Sequence, residues 1–163
     1  VSTSRRVLIG GVGYRWQGDA SFGLVAADAL AQLAWPAAVD VADLGYGALL
    51  VAQDFLAAAP PYDRLILLGA TTHARPRGLY ERRWDGVLPD ADGIQERVRE
   101  AGAGIVELDH LLVVADYFGA LPKDVLIIEL EHSGPTPGEA LSAEAAALLP
   151  ALVERVRSAA LAP

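Results

Sequence analysis

The three histidines, His73, His110 and His132, are the side chains best suited to bind a metal or move a proton. None belongs to an H-E-x-x-H or H-x-x-x-H pair, the spacing that sets two imidazoles on one helical face. A lone histidine is more often an ordinary loop or helix residue, because a metal needs several donors. Cysteine is absent, which excludes disulfides, thiolate metal sites and a cysteine nucleophile. Ser21 and Ser133 lie in no G-x-S-x-G elbow. Gly11-Val12-Gly13 follows an apolar run as a phosphate-cradling turn does. The next glycines are Gly18 and Gly23, so the dinucleotide spacing fails, and Asp43 is the nearest acid to the second strand's end. The P-loop pattern is absent as well.

The elements that would position these residues alternate between strand and helix. Val7–Gly13 reads as a buried first strand ended by glycines, followed by a helix from Phe22 to Trp35 that Pro36 closes. Val39–Val41 is a second strand, Ala48 to Ala59 a helix, and Leu65–Leu68 the clearest strand. After a Pro-, Gly- and Arg-rich loop, Leu79–Trp84 alternates as a half-exposed edge strand does. Ala91 to Glu100 is a charged surface helix or extended loop, Val106 to Phe118 a core helix and Val125–Leu130 the last strand. Ser142 caps a final helix, Ala143 to Leu161, with Pro150 as an expected kink or break. This pattern predicts a single α/β domain over 1–163: a three-layer sandwich, its central sheet mostly parallel, helices on both faces and one antiparallel edge strand. Ligands of such sheets bind beyond the carboxyl ends of the strands, which directs attention to residues 11–23, 69–78 and 101–110.

Composition narrows the partners. A net charge of −8 opposes nonspecific nucleic-acid binding, and basic or apolar partners suit the chain better. The basic cluster Arg75, Arg77, Arg82 and Arg83 reads as a solvated loop and edge strand, offset by Glu81 and Asp85. No stretch reaches the roughly 18 uninterrupted apolar residues of a membrane span. Arg5 and Arg6 lead directly into the first strand, so no secretory leader is expected and the chain reads as cytoplasmic.

The order R-V-L-I-G-G-V-G-Y-R-W-Q-G-D-A-S-F-G-L, residues 6–24, resembles the opening of the hydrogenase maturation endopeptidases, which trim the C-terminus of [NiFe]-hydrogenase large subunits. The resemblance continues through Val41–Gly45, Tyr62–Ala70, Pro76–Tyr80, Gly119–Pro122 and Glu129–Glu131, and on to Gly138 and Leu141-Ser142. It implies a protein that reads nickel held by its substrate through a carboxylate in the opening loop, an Asp ending the central strand and a His starting a later helix. At those places this chain has Ala20, Gly69 and, counting back from Gly119, Ala103 or Gly104; Tyr14 replaces the family's turn Asn. Ala and Gly bring no side-chain donor. The binding region is therefore expected at Trp16, Asp19, Ala20, Gly69, His73, Ala103 and Gly104, with no catalytic residue and no cofactor bound by the protein.

A rebuilt ligand set of Asp19, His73 and either Asp109 or His110 would suit Ni²⁺ or Zn²⁺, although Asp19 has an ordinary use, accepting backbone N–H groups near a helix start. The resemblance thus implies a protease-like protein without cleavage activity. It would bind a [NiFe]-hydrogenase large subunit or another maturation factor through apolar and aromatic contacts such as Trp16, Phe22, Tyr80 and Trp84. An active nickel-dependent endopeptidase and a small-molecule-binding domain are the alternatives.

Overall fold

Leu65 to Leu68 carry no polar alternation, as befits a strand covered on both faces, and they form the centre of the sheet. The computed structural model describes residues 5–163. Its strands are β1 (Val7–Gly11), β2 (Val39–Asp43), β3 (Arg64–Thr71), β4 (Gly78–Arg83) and β5 (Asp124–Glu131). Its helices are α1 (Phe22–Ala31), α2 (Ala48–Ala57), α3 (Ala91–Gly102), α4 (Leu108–Tyr117) and α5 (Ala143–Leu161). The strand order is β2-β1-β3-β5-β4, parallel except that β4 runs antiparallel to β5 at one edge. The sandwich expected from the alternation is the one observed.

Side chains on each strand alternate between two cores. Leu65, Leu67, Val125 and Ile127 pack with Val51 of α2, Ala101 of α3 and Leu108, Leu111 and Leu112 of α4. Ile66, Leu68, Leu126, Ile128 and Leu130 pack with Phe22 and Leu30 of α1 and Leu152 and Val156 of α5. Gly23 explains why α1 lies so close to the sheet: a Cβ there would collide with the carbonyl oxygens of Leu68 and Val12. The glycines that suggested a phosphate turn thus serve close packing of a helix on β1 and β3.

Two readings that the sequence left open take definite form. Pro150 lies inside α5, which continues through it, and the buried Leu152, Val156 and Ala160 hold the later turns against the sheet despite the missing N–H. The charged segment from Ala91 is a full helix, capped by Asp90, whose carboxylate accepts from Gly93 N at 2.9 Å. Ser142 caps α5 as expected, accepting from Ala145 N at 3.1 Å. No described helix is long and apolar enough to cross a membrane.

Candidate functional site

At the carboxyl ends of β1, β3 and β5 the chain leaves the sheet in loops that surround a cleft of about 140 Å³. The opening loop supplies Val12, Gly13, Tyr14, Gln17 and Ala20; β3 and its exit supply Ala70 to His73. Val106 to Asp109 form the wall where α4 begins, and His132 and Pro135 close the side beyond β5. The cleft lies at the strand ends to which the alternation pointed, but the loop after β5 was not among the segments singled out. Tyr14 has a definite structural task here: its hydroxyl accepts from Val106 N at 2.7 Å, tying the opening loop to the wall.

The floor is hydrocarbon. Ala20 offers a methyl group, and Gly69 is pressed by Leu108, whose Cδ1 lies 2.6 Å from where a Gly69 Cβ would be. Ala103 and Gly104, expected in the binding region, are not there. Ala103 is the C-cap of α3 and Gly104 follows it with φ +91°, ending that helix, while the cleft wall is built from residues 106–109. A count along the sequence cannot register that α4 starts only at Leu108.

Asp19 is buried and turned toward α5. Its carboxylate accepts from Ser142 N and Ser142 Oγ, each at 2.8 Å, and from Arg77 Nη2 at 2.8 Å. Around it the opening loop and the β5–α5 loop zip together: Gly18 N donates to Gly138 O at 2.9 Å and Gly138 N to Trp16 O at 3.0 Å. Asp19 therefore does accept backbone N–H at a helix start, but at α5, whose own cap it orients. Its sequence neighbour α1 has no side-chain cap.

Of the proposed replacement ligands only His73 and Asp109 meet. His73 Nε2 lies 2.6 Å from Asp109 Oδ2, at the rim. His110 is buried between α3 and α4, with Nε2 2.5 Å from Glu100 Oε2 and 3.0 Å from Arg97 Nη1, and it does not reach the cleft. Among the described residues no group of three or more His, Cys, Asp or Glu is arranged to hold a metal ion. The set Asp19, His73 and His110 is dispersed over three separate contacts.

Beside the cleft stands a charged wall that the sequence reading mistook for solvated surface. Glu129 is completely buried and Glu131 nearly so, on the face of β5 toward α4. Arg75 Nη2 donates to Glu129 at 2.7 Å and Arg75 Nε to Glu131 at 3.0 Å, while its guanidinium stacks 4.0 Å from the Tyr80 ring centroid. Arg82 bridges Glu129 and Asp109, at 3.2 and 2.9 Å. Burial pushes the Glu131 carboxyl up, but hydrogen bonds from the Arg75 side chain and backbone outweigh it and hold the group below the usual range. The same bonds outweigh burial at Arg75 and raise its guanidinium further. Two carboxylates in an otherwise apolar strand were the signal available in the sequence, since a buried acid requires a cation or donors beside it.

The aromatic candidates divide as well. Trp16 is 66% exposed in the opening loop, free to meet a partner. Phe22 is completely buried in the α1–α5 core and cannot be a contact. Trp84 packs partly into the other core with Nε1 donating to Asp116 at 2.7 Å, and Tyr80 lies under Arg75 with its hydroxyl donating to Pro76 O at 2.8 Å.

The fold is that of solved hydrogenase maturation peptidases. The hydrogenase 2 maturation peptidase from Thaumarchaeota archaeon SCGC_AB-539-E09 aligns with TM-score 0.63 and 27% identity, covering 95% of this chain and 97% of that one. The hydrogenase maturating endopeptidase HybD from E. coli aligns with TM-score 0.71 and 20% identity over 94% of this chain and 91% of that one. The [NiFe] hydrogenase maturation protease HycI from Thermococcus kodakarensis KOD1 gives TM-score 0.61 and 17% identity over 95% and 92%. No family model matches the chain, and no curated protein sequence matches it. The resemblance read from residues 6–24 and the segments after them extends to the fold over nearly the whole chain.

Proposed function

We propose that this chain acts in [NiFe]-hydrogenase maturation as a protease-like binding factor, docking on a large subunit or on another maturation factor without cleaving it. The fold shared with the maturation peptidases, and the cleft at the strand ends of this chain, support the partner. The observation that carries the loss of cleavage is the hydrocarbon floor: Ala20 and Leu108 line it, Leu108 packs on Gly69, and none of the three has a side-chain donor for nickel. Where relatives are implied to dock on a metal, Leu108 fills the space a side chain at Gly69 would need. Any nickel belongs to the substrate of such relatives, and this chain holds no cofactor of its own. The exposed Trp16 beside the cleft supplies an aromatic anchor for docking. A cytoplasmic setting agrees with a chain that carries no cysteine.

The test is to incubate the purified protein with nickel-loaded large-subunit precursor. The precursor stays full length and co-purifies with the chain; a shortened product ends the reading, as does failure to retain any hydrogenase component.

A further inference from the structure

His132 follows β5 directly and is 8% exposed, yet it is among the residues that line the cleft. Its Nδ1 lies 3.1 Å from the carbonyl oxygen of Gly134. A carbonyl can only accept, so this contact assigns the proton to Nδ1 and leaves a lone pair on Nε2 in the neutral ring. Among the described residues Nε2 has no hydrogen-bond partner, and it is not sealed from solvent either, because the only fully buried orphan atom is Nδ1 of His110. A buried imidazole with one nitrogen fixed by backbone and the other left bare is an acceptor held ready for a ligand's N–H.

The charges around it agree in sign. Glu107 and Asp109 line the cleft and no Lys or Arg does. Their side chains are 59% and 49% exposed, and although Asp109 already meets Arg82 and His73 and Glu107 Oε2 lies 3.4 Å from His110 Nδ1, each carboxylate oxygen has a second lone pair. Between these groups the walls are apolar, through Val12, Ala20 and Leu108, and suit a methylene stem. Size limits the ligand. The space is about 140 Å³, against roughly 300–1,000 Å³ for pockets that enclose drug-sized molecules. It holds one side-chain-sized group.

We infer that the cleft binds a single cationic nitrogen group, a guanidinium or ammonium, with His132 Nε2 accepting one N–H and Asp109 and Glu107 supplying the countercharge. The group is either a free small amine or a basic side chain on a partner protein; the chemistry of recognition is the same. The inference concerns the cleft of the proposed function but not the partner's identity. Cation binding can fail while a hydrogenase subunit still docks, and the reverse.

The experiment titrates the intact protein with methylguanidinium, with N-acetyl-arginine amide and with the uncharged isostere N-acetyl-citrulline amide, following the His132 ring nitrogens by NMR. Both cations bind saturably and shift Nε2, and the citrulline compound does not. His132→Asn keeps a donor for Gly134 but removes the acceptor, and weakens binding about tenfold or more, as the loss of a hydrogen bond to a charged group should. His132→Gln, which reaches the Nε2 position, restores part of it. Binding of N-acetyl-arginine amide without methylguanidinium marks a protein side chain as the source; binding of both admits a free amine. Equal binding of the citrulline compound, no binding of either cation, or unchanged affinity in His132→Asn overturns the inference. So does a response of His132 to Ni²⁺ or Zn²⁺ alone with none to the cations. Should the Asn variant fail to fold, the wild-type Nε2 shift decides: cation binding that leaves it unmoved is equally fatal.

Discussion

Two surfaces meet at the cleft, and they are built from opposite materials. The floor, Ala20 with Gly69 under Leu108, is hydrocarbon packed at contact distance. The adjoining wall holds two buried carboxylates, Glu129 and Glu131, clasped by Arg75 and Arg82. A side chain with donor atoms would be available to a ligand on the floor, and there the chain has none. On the wall donors abound, but they are consumed in fixing the loop after β3 and the edge strand β4 to β5. Charged residues near a cleft therefore do not by themselves make a polar site; what matters is whether their lone pairs and protons are already matched. By that measure His132, bare at Nε2, differs from every charged group of the wall.

The contrast can be broken most forcefully at Arg75. Arg75→Met leaves Glu131 without a cation and Glu129 with Arg82 and, at 3.7 Å, the His73 ring, and should cost about 3–5 kcal/mol in urea unfolding, the range for breaking a buried ion pair. The pH dependence follows with a definite sign. Glu131 is held below its ordinary 4.5 in the folded protein, so its contribution is complete above that pH and is lost as pH falls through the lower folded value. Wild type should lose stability below about pH 4.5 more steeply than Arg75→Met. Parallel acid profiles would show that Arg75 does not set the ionisation of Glu131.

The floor is tested next. Gly69→Ala forces Leu108 aside and should destabilise by about 1–3 kcal/mol. Leu108→Ala alone costs about 2–5 kcal/mol. The double variant should cost less than the sum, since each change relieves the other. Strict additivity in the denaturation midpoints would mean that the two residues do not compete for one space.

The smallest effect is expected at Asp19. Asp19→Ala removes the acceptor for Ser142 N and Oγ and should lower stability by about 1–2 kcal/mol, the scale of a lost helix cap. Ni²⁺ uptake measured by equilibrium dialysis should be the same in wild type and variant. A drop in nickel uptake would restore Asp19 as a ligand and undo the division between clasped and open groups.

Much of the architecture was legible without coordinates because it depends on local period and punctuation. The apolar run Leu65–Leu68, the alternating edge strand and the Ser142 cap each announce their element within a few residues, and α5 spans Ala143–Leu161 as its pattern implied. The site was legible only as a region. Of the residues expected there, Ala20 lines the cleft and Gly69 lies under Leu108, which lines it, whereas Ala103 and Gly104 end α3, because the start of α4 cannot be counted from a distant glycine. Arg75 and Arg82 looked like surface because sequence shows charge but not which carboxylate lies opposite.

By itself, then, the order of residues determined the layered α/β fold, the end of the sheet that would carry a site, and the absence of donor atoms at Ala20 and Gly69. Only the tertiary structure decided that Leu108 closes over Gly69, that Asp19 turns to α5, and that His132 faces the cleft with one nitrogen bare. The physical reason is range. Backbone preference and hydrophobic period act over a few neighbouring residues, while the pairing of a buried polar atom depends on groups up to 123 positions away, as Asp19 and Ser142 are.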